Sequence, residues 1–396
     1  MNGDRPVRII VTGGGTGGHT YPALTVIRMV RELLASRGAA PDLLWVGTAK
    51  GLEARAAAEN HIPFQAITTG KLRRSARARE LRQNLADALR VPLGVLQAVA
   101  IVARQRPDVV FSTGGYVAVP VGVAAKLLRR PLVMHEQILT LGLANRILAR
   151  LATEVLVSHA SSVRSLPARA RDRAIVTGNP IRPELLSGSR EAALNAFELD
   201  PHLPTVYVTG GAQGSVQINT LVSEILPELL SCCQVLHQCG ELSYERMRAL
   251  AQALPAERRS RYRVVDYIHS ELPDVLAAAD LVVSRSGAGT VAELTALGKP
   301  CVLIPLIPTG GDEQRRNALH LADAGAARVL AGEDATAPRL LATLLALLGD
   351  PAERERMAAA ARAHGRPGAA EEVAAAVLAR AEARFLRIQR KSAAHP

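Results

Sequence analysis

Residues 8–22 read RIIVTGGGTGGHTYP, and this stretch predicts how the chain begins its fold. The β-branched run Val7–Thr12 is typical of a buried strand, and it passes into glycines and then into an apolar helical pattern, Ala23–Leu34. Strand, glycine turn and helix in this order place backbone N–H groups at a helix N-terminus, where an anion binds favourably. Glycines also let the backbone approach a ligand closely. We therefore expect a phosphate-type loop that also presents the titratable side chain of His19.

The length and composition indicate a globular protein of two domains. A chain of 396 residues is longer than one ordinary core supports, and its apolar share of 48% is normal for a globular protein. No apolar run is long enough to span a bilayer, and the first apolar run is the strand itself rather than a signal peptide. The four cysteines lack metal-type spacing, so we expect small buried residues in a reducing cytoplasm. They are Cys232, Cys233, Cys239 and Cys301.

The net charge of +12 is concentrated in the first half of the chain. Residues 1–180 hold 25 Lys and Arg against 11 Asp and Glu, whereas residues 181–396 hold 23 against 25. A cationic first half predicts an anionic partner there, either a membrane surface or a phosphorylated acceptor. Nucleic acid is a poor fit, because the aromatic residues that stack on bases make up only 3% of the chain.

Strand-like and helix-like patterns alternate along the chain, which predicts parallel sheets covered by helices on both faces. After a junction rich in Ser, Arg and Pro at 158–204, the strand–glycine–helix pattern restarts at Thr205–Thr209, Gly210–Ser215 and Asn219–Leu230. In such sheets ligands bind at the carboxyl ends of the strands, where the polar and glycine clusters fall. The predicted domains are 1–175, 176–365 and a C-terminal helix and tail, 366–396, that packs back on the first domain.

Two features of the first half bear on its function. A dehydrogenase-type site needs an acidic residue after the second strand, but the strand Leu43–Gly47 is followed by Thr48, which argues against an oxidoreductase. Residues 71–82 carry six basic side chains beside an apolar helical pattern that includes Leu93 and Leu96. This segment predicts either a membrane-surface patch or a solvated basic face beside a core helix. The basic residues are Lys71, Arg73, Arg74, Arg77, Arg79 and Arg82.

Seven short motifs occur in order along the chain. They are GGTGGH at 14–19, GGY at 114–116, HEQ at 135–137, GNPxR at 178–182, GGxQG at 210–214, SRSGAxTVxE at 284–293 and QxxNA at 314–318. Each is weak alone, but together they resemble the MurG family of glycosyltransferases over residues 7–365. The resemblance implies an α/β GT-B fold, with two doubly wound Rossmann-like domains facing across a cleft. It also implies an inverting transfer of N-acetylglucosamine, or a close hexosamine or hexose, from a UDP-sugar to a polyprenyl- or lipid-phosphate-linked acceptor.

The resemblance places the donor site in the second domain. It puts uracil against the backbone of Ile268, the ribose hydroxyls on Glu293 and the sugar near Gln314, with Arg182 near the nucleotide. A carboxylate accepts hydrogen bonds from two hydroxyls, and the planar guanidinium of Arg suits phosphate. Backbone N–H groups of two loops would stabilise charge on the UDP leaving group. These loops contribute Gly211, Ala212, Gln213, Gly214, Ser286, Gly287 and Ala288.

The resemblance places the acceptor-binding residues in the first domain. They are Thr16, Gly17, Gly18, Tyr116 and Glu136. His19 is the candidate catalytic base for a hydroxyl nucleophile, because an imidazole titrates near neutral pH. Two alternatives stay open, in which His19 binds the acceptor phosphate or serves only the structure. We assign no catalysis to His135, His237 or His269.

The expected partners are a UDP-sugar, a lipid-phosphate acceptor and an anionic membrane surface, without nucleic acid. Such an enzyme would lie on the inner face of the cell membrane as a peripheral cytoplasmic protein. We expect no essential metal or other cofactor, since GT-B enzymes do not need one and the chain has no Asp-x-Asp pair.

Three positions depart from the family's usual pattern. Ile138 stands where a polar residue, most often Asn, follows the HEQ motif, and it makes the acceptor loop more apolar. Ala212 replaces the usual Ser, and Glu313 stands where His or Gln is common. Because the acceptor loop is altered, two roles stay open. One is the cell-wall reaction that converts lipid I to lipid II, and the other is a paralogue in the biosynthesis of a phosphoglycolipid antibiotic of the moenomycin type.

Two other functional classes fit the same architecture. A UDP-GlcNAc epimerase would be a soluble enzyme, and it would not need a cationic first half. A non-catalytic UDP-sugar-binding subunit would not need a candidate base, so the presence of His19 and Glu293 argues against it.

Overall fold

The computed structural model describes residues 5–70, 78–307 and 312–393. The chain forms two compact units, each built around its own sheet. Unit 1 comprises Met1–Pro180 and Gly368–Pro396, and unit 2 comprises Ile181–Pro367. The divisions fall a few residues after the expected boundaries at 175 and 365.

Unit 1 is organised around a seven-stranded sheet in which the strands pair in parallel. The strands are β1 (Val7–Thr12), β2 (Pro41–Gly47), β3 (Phe64–Ala66), β4 (Val109–Ser112), β5 (Leu132–Glu136), β6 (Glu154–Val157) and β7 (Ala174–Val176). Their order is β3-β2-β1-β4-β5-β6-β7, so the direction in which strands are added reverses between β1 and β4. In a doubly wound sheet, ligands bind at the carboxyl edge beside such a reversal.

Helices cover both faces of this sheet. They are α1 (Gly17–Ala35), α2 (Leu52–Glu59), α3 (Ala78–Gln105), α4 (Val119–Leu127), α5 (Leu143–Leu151) and α6 (Ala168–Arg171), with 3-10 helices at Tyr116–Ala118 and Ala160–Ser165. Successive residues of β1 alternate between the faces, because Ile9 and Val11 join one apolar cluster and Ile10 joins the other. Helix α1 begins at Gly17 rather than at the predicted Ala23, since its first turn consists of glycine and polar residues that carry no apolar period.

Unit 2 repeats this plan with a six-stranded parallel sheet. Its strands are β8 (Thr205–Thr209), β9 (Gln234–Gln238), β10 (Tyr262–Val265), β11 (Leu281–Ser284), β12 (Cys301–Leu303) and β13 (Ala327–Val329), in the order β10-β9-β8-β11-β12-β13. The reversal lies between β8 and β11. The helices are α7 (Arg190–Ala196), α8 (Val216–Leu229), α9 (Glu241–Ala253), α10 (Ala256–Arg259), α11 (Leu272–Ala278), α12 (Ala288–Ala296), α13 (Glu313–Asp323), α14 (Ala337–Gly349) and α15 (Pro351–His364), with 3-10 helices at Pro183–Ser187 and Gly332–Asp334.

The C-terminal region forms separate helices, since glycine and proline interrupt the Ala/Arg/Glu-rich pattern after α14 and after α15. The last helix, α16 (Ala369–Ala393), belongs to unit 1. Its Val377 and Leu378 are buried in the same apolar cluster as Val30 of α1. Arg380 forms an ion pair with Glu154 at the start of β6. The final helix therefore contributes directly to the core of the first unit.

The structure bears on the predictions for the cysteines, for membrane-spanning helices and for the basic segment. Three cysteines are buried, but Cys232 is exposed because it lies in the turn between α8 and β9. Among the helices of the described ranges, none combines the length and apolar character needed to cross a membrane. Residues 71–77 of the basic segment lie outside the described residues, so both interpretations of that segment stay predictions.

Candidate functional site

The glycine loop of unit 1 begins beside the loop that follows β4. Thr12 pairs with Ser112 in the sheet, so the chain leaves β1 and β4 at the same level. The two loops then approach closely, because a Cβ on Gly13 would lie 2.0 Å from Thr113 Oγ1 and one on Gly115 would lie 2.7 Å from a backbone oxygen of the first loop. Both glycines also have positive φ, +144° and +85°. A side chain at either position would push the loops apart.

The N-terminus of α1 lies at this edge with its backbone donors uncapped by a side chain. Thr16 is the N-cap residue and makes no side-chain cap bond, which leaves the first-turn N–H groups of Gly17 and Gly18 to another partner. Tyr116 packs over the loop, since a Cβ on Gly15 would lie 2.9 Å from its Cε1 atom. The uncapped donors of a 19-residue helix suit an anion such as an acceptor phosphate.

His19 is held in one tautomer by two oxygen atoms. Its Nδ1 lies 2.8 Å from the carbonyl oxygen of Thr113 and 3.2 Å from Oε1 of Gln137. A carbonyl oxygen only accepts hydrogen bonds, so Nδ1 carries the proton and Nε2 keeps its lone pair. Burial lowers the pKa of His19, while the hydrogen bonds to Thr113 and Gln137 oppose that change. The ring is therefore a neutral imidazole with Nε2 able to accept a proton.

Glu136 follows the same edge but is fully buried. Its Oε2 accepts a hydrogen bond from Asn145 Nδ2 at 2.8 Å, and its Oε1 accepts the N–H of Ile138 at 3.2 Å. Asn145 in turn accepts the N–H of Gly115 at 2.9 Å. The sequence predicts that Glu136 binds the acceptor. In the structure its carboxylate instead links the loop after β5 to the loop after β4, through Ile138 on one side and Asn145 on the other.

A second buried carboxylate, Glu53, supports the glycine loop and was not singled out from the sequence. It accepts the N–H of Gly15 at 3.2 Å and both the N–H and the hydroxyl of Thr48, at 3.0 and 2.6 Å. A Cβ on Gly14 would lie 2.4 Å from the Glu53 carboxyl carbon. The sequence feature that could have identified Glu53 is an acidic residue close to the glycines that follow β2.

In unit 2 the loops after β8 and β11 also begin side by side, because Thr209 pairs with Ser284. The loop 210–214 is a tight turn in which Gly211 N–H donates to Thr209 Oγ1 and Gly214 N–H donates to the Gly211 carbonyl, both at 3.0 Å. A Cβ on Gly214 would lie 2.0 Å from the carbonyl oxygen of Cys239. The predicted donor residues Ala212 and Gln213 are exposed at the tip of this turn.

The second predicted phosphate loop leads into α12. Gly287 is the N-cap residue and Ala288 the first helical residue, and the helix has no side-chain cap. The buried Ser286 donates its hydroxyl to the backbone oxygen of Gln314 at 2.8 Å and accepts Asn317 Nδ2 on its own carbonyl at 3.1 Å. The Gln314 side chain accepts the N–H of Leu306 at 2.9 Å. These bonds tie the start of α13 to the loop that precedes α12.

Arg182 and Glu293 form an ion pair in unit 2. The Nη2 atom of Arg182 lies 3.7 Å from Oε1 of Glu293. Burial raises the pKa of Glu293, and the neighbouring guanidinium opposes that rise. The structure therefore brings together the two side chains that were predicted to bind the nucleotide, although they lie in different segments of the sequence.

Gln238 connects the predicted uracil-binding backbone to the first phosphate loop. Its Oε1 accepts the N–H of Ile268 at 3.0 Å, and its Nε2 donates to the carbonyl of Gly211, also at 3.0 Å. The hydroxyl of the buried Tyr207 lies 3.4 Å from the same Oε1. Sequence reasoning missed Gln238, although a polar residue at the carboxyl end of a buried strand was a usable signal.

Arg285 lies in the SRSGAxTVxE motif, and the sequence alone predicts no role for it. Its Nη1 donates to Gln217 Oε1 in the first turn of α8 at 2.9 Å and to the carbonyl of Ile304 at 3.0 Å. Burial lowers the pKa of this guanidinium. It places a positive charge between the ends of β11 and β12 beside the α8 N-terminus. The described residues contain no group of three His, Cys, Asp or Glu side chains arranged to hold a metal ion.

Two family models match the chain. The glycosyltransferase family 28 N-terminal domain matches residues 9–157, and the glycosyltransferase family 28 C-terminal domain matches residues 205–373. A UDP-N-acetylglucosamine--N-acetylmuramyl-(pentapeptide) pyrophosphoryl-undecaprenol N-acetylglucosamine transferase from Desulforudis audaxviator is 36% identical over 93% of this chain and 96% of its own length. A protein of the same name from Moorella thermoacetica is 37% identical over 94% and 98%.

The chain belongs to the MurG family of glycosyltransferases. The crystal structure of Acinetobacter baumannii MurG is 28% identical, with a TM-score of 0.71, and the match covers 94% of this chain and 99% of that one. The GT-B fold with two Rossmann-like units is thereby confirmed. A putative UDP-N-acetylglucosamine 2-epimerase from Listeria monocytogenes has a TM-score of 0.65 at 15% identity, a likeness of fold alone. The MurG-family assignment therefore depends on sequence identity along the whole chain rather than on shape.

Proposed function

We propose that this enzyme transfers N-acetylglucosamine from UDP-N-acetylglucosamine to N-acetylmuramyl-(pentapeptide) pyrophosphoryl-undecaprenol, converting lipid I to lipid II. The observation that carries this proposal is the agreement along more than nine-tenths of the chain with transferases named for that reaction. The glycine loops, His19 and the Arg182–Glu293 pair supply groups that this chemistry needs. An epimerase would share the fold but would need no acceptor site.

The acceptor hydroxyl would be activated in unit 1. The lone pair on Nε2 of His19 takes the hydroxyl proton as the oxygen attacks the anomeric carbon of the donor sugar. The new C–O bond forms as the bond between that carbon and the UDP oxygen breaks, so the configuration inverts and UDP leaves with the electron pair. The imidazolium that forms is stabilised by Nδ1–H donation to Thr113 and Gln137.

The donor would be held in unit 2. Glu293 accepts the ribose hydroxyls, and Arg182 supports that carboxylate and the nucleotide's negative charge. N–H groups at the start of α12 and in the loop 210–214 stabilise the charge that develops on the diphosphate. This arrangement supplies leaving-group stabilisation from the chain's own groups, and we infer that transfer needs no bound metal.

Unit 1 would contact the lipid acceptor and the membrane surface. The uncapped N-terminus of α1 suits the acceptor's pyrophosphate, and the excess of basic residues in 1–180 suits an anionic surface. On α3, Leu93 and Leu96 are exposed, and the exposed fraction of Leu96 is 68%. These features support a peripheral position on the cytoplasmic face of the membrane, with unit 1 against the lipid.

The residue at position 138 favours a second candidate for the acceptor, different from lipid I. Ile138 is half-buried after the HEQ motif, and its N–H is committed to the buried Glu136. An apolar side chain at this place offers no hydrogen bond to a sugar hydroxyl or a peptide amide. This supports, as the second candidate, a paralogue that acts on a phosphoglycolipid precursor of the moenomycin type.

The deciding experiment is a transfer assay with radiolabelled UDP-N-acetylglucosamine and purified enzyme. The acceptors are lipid I, a phosphoglycolipid precursor and vesicles without acceptor. Transfer to lipid I alone supports the first proposal, and preferential transfer to the second acceptor supports the paralogue. Sugar epimerisation without any acceptor would overturn both, and the Ile138→Asn variant reports whether that residue sets the preference.

A further inference from the structure

A chain of hydrogen bonds extends from His19 through Gln137 to His135, and the proposed mechanism gives no role to His135 and does not say what orients Gln137. Gln137 accepts from Nδ1 of His19, and its Nε2 donates to the carbonyl of Thr113 at 3.0 Å. The same Nε2 lies 3.3 Å from Nδ1 of His135. At the far end, Nε2 of His135 lies 2.8 Å from the carbonyl oxygen of Gly178. Gln137 and His135 are both buried.

We propose that Gln137, oriented by His135, is the positioning residue that keeps the proton of His19 on Nδ1 and supports the imidazolium when Nε2 accepts a proton. This inference rests on the proposed role of His19 as the base. It gives a function to His135 and explains the orientation of Gln137.

The orientation of the Gln137 amide follows from the atoms around it. The Thr113 carbonyl oxygen is an acceptor, so the nitrogen of the amide must face it. Rotating the amide by half a turn would place oxygen against that carbonyl and the NH2 group against the Nδ1–H of His19. Both contacts would be repulsive, and the buried groups would lose their partners. One orientation of Gln137 is therefore compatible with this site.

His135 fixes the other side of the amide. Its Nε2 must donate, because the oxygen of Gly178 can only accept, so the lone pair of His135 lies on Nδ1 and faces the amide nitrogen of Gln137. Burial lowers the pKa of His135 to about 4. The ring thus stays neutral at physiological pH. A second proton on Nδ1 would oppose the amide N–H and turn Gln137 away from His19.

The hydrogen bond between His19 and Gln137 resembles the bond between a histidine base and a carboxylate, but the amide of Gln137 carries no charge. The Gln137 oxygen accepts from Nδ1–H, and the amide is polarised because its nitrogen donates to two acceptors. Two carboxylates lie nearby, Glu53 in α2, which accepts from Gly15, and Glu136 at the end of β5, which accepts from Asn145. Both are committed to other partners and are unchanged in the variants below, so differences among those variants report on position 137.

The test compares wild type with Gln137→Met and Gln137→Glu. Methionine keeps the length but removes the hydrogen bonds, and glutamate keeps an acceptor for Nδ1–H and adds charge. Nitrogen-15 NMR of labelled histidine measures the tautomer and the titration of His19 directly. We expect the pKa of His19 to fall in Gln137→Met and to rise in Gln137→Glu, with Nδ1 protonated in wild type. The kcat of Gln137→Met should fall about 3- to 10-fold, the value of one neutral hydrogen bond.

Gln97→Met is the matched control. Gln97 also accepts a hydrogen bond, from the N–H of Thr68 at 2.7 Å, and it lies on α3, outside the segments that hold His19. This variant should leave the His19 titration and kcat unchanged. Identical His19 titrations in wild type and in both position-137 variants would overturn the inference. If the pKa of His19 shifts in opposite directions in the two variants while kcat is unchanged, Gln137 does position His19. In that case His19 is not the catalytic base.

Discussion

Removing the Glu293 carboxylate should cost unit 2 most of its affinity for the ribose of UDP. In the proposed donor site two ribose hydroxyls donate to this carboxylate, and a hydrogen bond to a charged acceptor contributes about 1.5–3 kcal/mol. The Glu293 side chain is 26% exposed, so solvent weakens both bonds. We expect a combined loss of about 2–4 kcal/mol for Glu293→Ala, which is about a 30- to 1000-fold increase in Kd.

Calorimetry with UDP and 2′-deoxy-UDP tests the assignment to the ribose. Wild type should prefer UDP, whereas Glu293→Ala should bind the two nucleotides almost equally because the partner of the 2′-hydroxyl is gone. Glu293→Gln should be intermediate, since an amide keeps one acceptor oxygen. The control is Glu355→Ala, which also breaks a pair with an arginine, Arg362, in unit 2. An equal loss for UDP and 2′-deoxy-UDP in Glu293→Ala would refute the ribose contact.

The same site predicts a pH dependence for UDP binding. Burial raises the pKa of Glu293 above that of an ordinary glutamate, in spite of the opposing charge of Arg182. The ionised carboxylate is the form that accepts two hydroxyls, and it predominates above that pKa. Affinity should be full at neutral pH and should decline on acidification, at a higher pH than for an unperturbed glutamate. Glu293→Gln should show no such decline.

Four further outcomes follow from the structure. His19→Ala should lower kcat by about 100-fold or more without changing the Kd for UDP; a loss of only a few-fold would leave His19 as a ligand or a structural residue. Burial lowers the pKa of His237 to about 3, so the unfolded chain takes up a proton first as the pH falls below about 6.5. The free energy of unfolding should then fall by about 1.4 kcal/mol per pH unit from this residue between about pH 6.5 and 4. Urea titrations at pH 7 and 5 should show a slope in His237→Gln that is smaller by this amount than in wild type and in the exposed variant His269→Gln, because the buried His135 contributes a slope of its own in all three proteins. Gln238→Met should raise the Kd for UDP about 3- to 30-fold, because its two hydrogen bonds to the Ile268 N–H and the Gly211 carbonyl, which fix the loops, are lost; Tyr207→Phe, which removes one long bond to Gln238, should change the Kd less than about threefold. Treatment with EDTA should leave transfer unchanged, and restoration of a lost activity by Mg²⁺ or Mn²⁺ would contradict the metal-free assignment.

The fold class could be read from the sequence because the signals are local. A β-branched run that ends in glycines and restarts as an apolar helix specifies strand, turn and helix within about 25 residues. That unit occurs at 7–34 and again at 205–230, and both copies have the predicted strand bounds. The break between α15 and α16 falls at the boundary predicted at 365, where glycine and proline interrupt an otherwise uniform Ala/Arg/Glu-rich composition.

Local sequence also predicts which residue types lie at the carboxyl edges, since each of them follows a buried strand. Which polar atoms form hydrogen bonds with one another depends on how the strands are ordered in the folded chain. Gln137 reaches His19 from 118 positions away along the chain, and Gln238 joins Ile268 to Gly211 across neighbouring strand ends. Glu136 looked equally available in the sequence, but both of its oxygens are satisfied inside the protein. Such partnerships depend on strand order and on the exclusion of water, and neither is encoded in a local stretch of residues.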